Sequence, residues 1–133
     1  MKSISKLKKE LDKWFSLFIR LRNATDTGLT QCFTCNKVAH FKQMHCGHFQ
    51  SRRHLATRFD EMNCEVQCPK CNIFSQGEQF KFHIKLNAKY GEDTSIELQH
   101  KAMQKVKFSR SDYEEKITYY KNIVNNLKKQ IHF

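Results

Sequence analysis

The residues most able to do chemistry lie in one stretch of the chain, between Cys32 and Asn72. It opens with Cys32-Phe-Thr-Cys35, passes through Gly47-His48-Phe49 and Asn63, and closes with Cys68-Pro-Lys-Cys71-Asn72. Thiolates at CxxC spacing put two sulfurs on one knuckle, and two knuckles complete a tetrahedron around zinc. Cys32, Cys35, Cys68 and Cys71 therefore read as a structural zinc site, closed to catalysis because all four positions are filled by protein. Between the knuckles lies material for a different chemistry. Hydrolysis of a phosphodiester needs an activated water and a cation that stabilises the leaving oxygen. A histidine can take the proton near neutral pH, and Asn or Asp oxygens suit a hard cation such as Mg²⁺. His48, at the end of a predicted strand, is the candidate base. Asn72, immediately after the second knuckle, is the candidate cation ligand, so zinc anchors both ends of the segment that carries them.

The elements that must position these residues are mostly helical. A chain of 133 residues makes one domain, and 4 Gly with 1 Pro argue against a turn-rich β fold. With 39% hydrophobic residues the core is limited, so a metal staple helps. Residues 3–23 show an amphipathic helix, with Leu7, Leu11, Trp14, Phe15, Phe18, Ile19 and Leu21 at helical spacing and Ser3 or Ser5 as its cap. Residues 28–76 are irregular and hold every cysteine; 38–41 and 43–50 are predicted as two strands joined tightly. A helix is predicted to begin near Cys68 or Cys71 and to run on through 79–90, with Phe80, Ile84, Leu86 and Tyr90 inward and Gly91 as the stop. Two more helices are predicted at 95–106 and 111–131. The last carries Tyr113, Ile117, Tyr120, Ile123, Val124, Leu127 and Ile131 on one side, a cap at Ser109 or Ser111, and a basic tail over 128–133. The expected fold is α+β and predominantly helical: a basic N-terminal helix over 1–27 packing on a zinc-bound core over 28–91, then a helical extension over 92–133, all in one compact domain.

The net charge of +11, from 24 Lys and Arg against 13 Asp and Glu, points to a polyanionic partner. Arg52, Arg53 and Arg58 follow the candidate base directly, and Arg20 and Arg22 lie on the first helix; guanidinium forks match phosphate oxygens. For Arg58, a structural pair with Asp60 or Glu61 is an equal alternative. No apolar run approaches the roughly 20 residues that span a bilayer, and the basic first ten residues lack the apolar stretch of a signal peptide. Paired CxxC spacing without a secretion signal indicates metal ligation in a reducing, cytoplasmic compartment. The two remaining cysteines, Cys46 and Cys64, read as small buried side chains, and His54, His83 and His100 as ordinary surface or packing residues.

The order His48, Asn63, Asn72, framed by the two CxxC pairs, resembles the HNH (ββα-metal, His-Me finger) nucleases. Phe15-Ser-Leu-Phe-Ile-Arg-Leu-Arg22, Cys32-Phe-Thr-Cys35, Gly47-His-Phe-Gln-Ser-Arg52, Arg58-Phe-Asp-Glu61, Asn63 and Gln67-Cys-Pro-Lys-Cys-Asn72 together resemble the NinG (Rap) recombination proteins of lambdoid phages, over residues 7–91. The resemblance implies a phage-encoded, metal-dependent DNA endonuclease of a bacterial host's cytoplasm, acting on branched recombination intermediates such as Holliday junctions and D-loops. By the same resemblance His48 is the general base, Asn63 fixes the loop that holds it, and Asn72 binds the catalytic Mg²⁺ or Mn²⁺. Junction resolution implies a homodimer, with the apolar faces of the first and last helices as contact surfaces. Many HNH members carry Asp or His just before the base; here Gly47 stands there, and Asp60 or His45 is the substitute ligand considered. The alternatives are a zinc-containing module that binds DNA without cutting it, and an RNA-binding or regulatory phage protein.

Overall fold

A computed structural model describes residues 1–132; Phe133, the last residue of the basic tail, lies outside the described residues. The elements in chain order are α1 (Ile4–Leu21), β1 (Leu29–Gln31), β2 (Val38–His40), β3 (His45–His48), α2 (Leu55–Arg58), β4 (Cys64–Gln67), α3 (Gln79–Tyr90), α4 (Thr94–Ala102) and α5 (Arg110–Lys129). A 3-10 turn, Phe41–Gln43, separates β2 from β3, and a π-helical turn, Lys70–Phe74, follows β4. The protein is thus α+β, mostly helical, with two small antiparallel sheets.

Helix α1 starts where Ser3 Oγ accepts the Lys6 N–H at 3.2 Å, satisfying one of the orphan amides of its first turn. Helix α5 starts at a capping box: Ser109 Oγ accepts from Asp112 N at 3.1 Å, and Asp112 Oδ2 accepts from Ser109 N at 2.8 Å. The apolar stripes of these two helices face each other. Leu7, Leu11, Phe15 and Ile19 of α1 form one cluster with Tyr113, Ile117 and Tyr120 of α5 and with Cys64 of β4. Phe15 anchors it, edge-on to Tyr120 at 5.1 Å and to Phe59 at 5.7 Å. Farther along, Leu21, Phe41, Val124 and Ile131 make a second cluster. The faces expected to join two subunits are therefore used within one chain, and the C-terminal helix is half of the main core rather than an appendage.

Three further expectations change. The two predicted strands do not pair with each other. β1 pairs with β2, Thr30 opposite Ala39, and β3 pairs with β4, His48 opposite Cys64 and His45 opposite Gln67. The predicted continuous helix after the second knuckle is broken: Gln76, Gly77 and Glu78 all take left-handed backbone, and Gly77 N–H turns back to Cys71 O at 2.7 Å. Finally, α3 buries Phe82 and Leu86 against Phe49 and Leu98, while Phe80 is 74% exposed and Ile84 is exposed too. Both pairs are spaced four apart, so helical period alone does not choose between them; the position of Phe49 does. The helix predicted over 95–106 ends at Ala102. No helix among the described residues is long and apolar enough to cross a membrane.

Phe15→Ala should cost roughly 3–5 kcal/mol in urea denaturation. Phe80→Ala should stay within about 0.5 kcal/mol. Comparable losses at the two positions would refute the assignment of buried faces.

Candidate functional site

The cysteine cluster closes the base of the site. Cys32 follows β1 and Cys68 follows β4, so one knuckle comes from each sheet. The first is shaped by Cys32 N–H donating to Lys37 O at 2.7 Å and Asn36 N–H to Cys32 O at 3.0 Å, with Asn36 in left-handed backbone. The sulfurs of Cys32, Cys35, Cys68 and Cys71 all lie within 4.8 Å of one another, and Cys35 and Cys68 are 3.6 Å apart. Zinc–sulfur bonds of about 2.3 Å put tetrahedral sulfurs about 3.8 Å apart, so the set fits zinc. All four are free thiols, three of them buried. Burial raises the Cys32 thiol, but N–H donors from Cys68, Thr34 and Cys35 and the Thr34 hydroxyl outweigh it and bring it to about 6. Burial and the neighbouring thiols push Cys71 up to about 12. Four thiolates this close need a dication among them to ionise together.

Above this base, the β3–β4 ribbon presents His48. Its Nε2 lies 2.9 Å from Arg58 O. A carbonyl only accepts, so Nε2 carries the proton and Nδ1 keeps the lone pair. Burial lowers the imidazole's pKa below the usual histidine value, with the Arg58 carbonyl opposing. The loop after His48 is locked by Asn63, which is wholly buried. Its Oδ1 accepts Gln50 N–H at 2.7 Å, and its Nδ2 donates to Gln50 O at 3.1 Å and Thr57 O at 3.0 Å. Phe49 N–H donates to Asn63 O at 2.8 Å. Asn63 therefore ties both ends of the loop whose far end, Arg58 O, holds the imidazole.

His48 lines a cleft of about 510 Å³ between α1 and β3. Its walls bring together Lys9, Lys13, Arg20, Lys42 and Arg52, with Asp12 the one carboxylate, and also His45 and Cys46. Arg20 is anchored to Ser16 at 3.2 Å and to Phe41 O at 3.1 Å. Arg52, 57% exposed, reaches Asp12 at 3.0 Å. Asn72 sits on the π-helical turn and is not among the residues that line the cleft; its Nδ2 lies 3.1 Å from Nδ1 of His45, which does line it.

Other expected site residues are placed elsewhere. Asp60 accepts from Met62 N–H at 2.9 Å and pairs with Lys101 at 2.6 Å, outside the cleft, whereas His45 lies against Asn72. Arg58 pairs with neither Asp60 nor Glu61: its guanidinium grips Asp12 through Nε at 3.0 Å and through Nη2. Arg22 is half-buried, donating to Glu61 O at 3.2 Å and Cys64 O at 2.7 Å and pairing with Glu65 at 3.3 Å. Arg53 is exposed beside a different depression with His54 and Lys105. At Gly47 a Cβ would fall 2.6 Å from Gln67 Cδ and 2.8 Å from its Cγ, so the place of a second ligand is filled. Sequence reasoning missed Asp12, Gln67 and Glu65. Asp12 had one visible signal, a carboxylate amid the lysines of α1; Gln67 stood only within a block that resembles the family, and Glu65 had none.

Cys68→Ser should lose the tightest-bound zinc, read as metal per chain, together with cooperative thermal unfolding. Retention of both would show that the four sulfurs do not form the structural site.

Comparison with curated proteins and with solved structures yields no match. The family model described as Bacteriophage Lambda NinG protein matches residues 1–130, which extends the likeness through α5. The chain belongs to the NinG family and is a phage recombination-related protein.

Proposed function

We propose that the protein is a DNA endonuclease of the HNH type that hydrolyses phosphodiesters of branched recombination intermediates. The observation that carries this reading is the fixed tautomer of His48. Its Nε2–H is committed to Arg58 O, leaving Nδ1 as a proton acceptor at a cleft edged by cations. Its lowered pKa keeps it neutral at pH 7, the form a general base requires. In the proposed step Nδ1 takes the proton of a water attacking phosphorus. Arg52, Arg20 and the lysines hold the flanking phosphates. Asn63 acts as a positioning residue, because it sets the loop that orients His48. A hard divalent ion held by Asn72 and His45, its shell completed by water and phosphate oxygens, would supply positive charge at the leaving oxygen.

His48→Ala should reduce cleavage of a synthetic four-way junction by about 10²–10⁴-fold while leaving junction binding nearly unchanged. Wild-type protein that binds the junction but never cuts it with Mg²⁺ or Mn²⁺ would favour a non-catalytic zinc module. Because the base works deprotonated, activity falls as pH drops through its pKa. The acid limb of the rate profile should therefore lie below the ordinary imidazole midpoint of about 6.5. A midpoint above about 7 would exclude a buried His48 as the base.

A further inference from the structure

The β3–β4 pairing collects a second set of metal-type ligands that shares no residue with the four-cysteine cluster. His48 stands opposite Cys64, and Cys46 stands opposite Val66. Side chains two apart on a strand share a face, so Cys46, His48 and Cys64 project together. One ligand atom from each lies within 4.8 Å of the others. The set is prepared in two further ways. His48 donates its other ring N–H to a backbone carbonyl, the arrangement that orients a metal-binding imidazole. Arg22 donates to the backbone Cys64 O at 2.7 Å, and the Arg20 guanidinium interacts with Cys46, so two cations lie beside the set, although burial still holds the Cys64 thiol well above its usual range. Cys64 is wholly buried, whereas Cys46 and His48 border the cleft.

We propose that Cys46, His48 and Cys64 form a second site for a thiophilic divalent ion such as Zn²⁺, with its fourth position open to the cleft. Two sulfurs and one imidazole are a zinc-type donor set and a poor one for Mg²⁺. Occupancy engages the imidazole of His48, the group that the nuclease reading assigns to the base. Resting on that reading, the site makes the enzyme inhibitable by zinc beyond the structural equivalent.

The test begins with protein carrying one zinc per chain, titrated with further Zn²⁺ against a chromophoric chelator. Wild type should take up a second equivalent. Cys46→Ser and Cys46→Ala should keep the first and bind the second at least about 10-fold more weakly, as expected when a ligand is lost. Adding Co²⁺ to the one-zinc wild type should give thiolate-to-metal absorption, which decides the matter without any variant. No second equivalent in wild type, no thiolate absorption, or an undiminished second site in both variants would overturn the proposal. In parallel, the ratio of junction cleavage with and without excess zinc should fall at least about 10-fold further for wild type than for Cys46→Ser, each against its own zinc-free rate. A wild type that never cleaves would sink the nuclease reading alone, and the stoichiometry would still decide the metal site.

Discussion

The antiparallel pairing of β3 with β4 is the constraint on which the rest of the molecule depends. Each end of this short ribbon does a separate job. His48 and Cys64 close one end, next to the loop that Asn63 locks; His45 and Gln67 close the other, next to the second cysteine knuckle. A slip of one residue would send His48 to the opposite face and pull Cys68 away from its partners. A two-stranded ribbon has little stability of its own. It is held because the cysteine cluster fixes one end while α1, backed by α5, covers the face that carries Cys64. Cysteine cluster, ribbon and helix pair are therefore one cooperative arrangement.

Charge is distributed by the same logic. The net charge of +11 does not mean that every arginine is available to a phosphate. Arg22 and Arg58 are only 15% and 14% exposed, and both are spent on carboxylates and backbone carbonyls. Arg58 takes Asp12 through two nitrogens and Arg52 O through a third, at 2.9 Å, so it braces the loop between His48 and Asn63 against α1. A bidentate, partly buried pair of this kind fixes geometry where a surface pair contributes little. Around the cleft, Lys9, Lys13, Lys42 and Arg52 are exposed, where a polyanion can reach them.

What was legible in the sequence was local. Two CxxC knuckles, the capping serines and the α1 stripe announce themselves within a few residues, and the chemistry proposed for His48 and Asn72 starts from residue type. The roles of Arg22 and Arg58 were not legible, because each is decided by a partner far along the chain, Glu65 and Asp12 respectively. The ribbon was missed for a related reason: β4, Cys64–Gln67, alternates apolar and polar residues over only four positions, too few to mark a strand, and its polar side chains are buried as deeply as its apolar ones. The inward face of α3 depended on Phe49, and the helix break before it on three consecutive left-handed residues, two of them not glycine.

Gly47 gains a physical reason from this arrangement. The Gln67 side chain, wholly buried, lies where a side chain at 47 would go; it donates from Nε2 to Thr34 Oγ1 at 3.1 Å and to Gly77 O at 2.8 Å. One amide thus links the first knuckle to the turn that launches α3. Its Oε1 has no protein partner, a cost of about 1–3 kcal/mol that the two donated bonds and the packing must offset. Any larger residue at 47 would displace this amide, so the ribbon carries glycine there because of the turn, whatever the site requires. If this strand supplies the proposed second ligand, it must come from a position whose side chain has room; His45, two register pairs away and already against Asn72, has it.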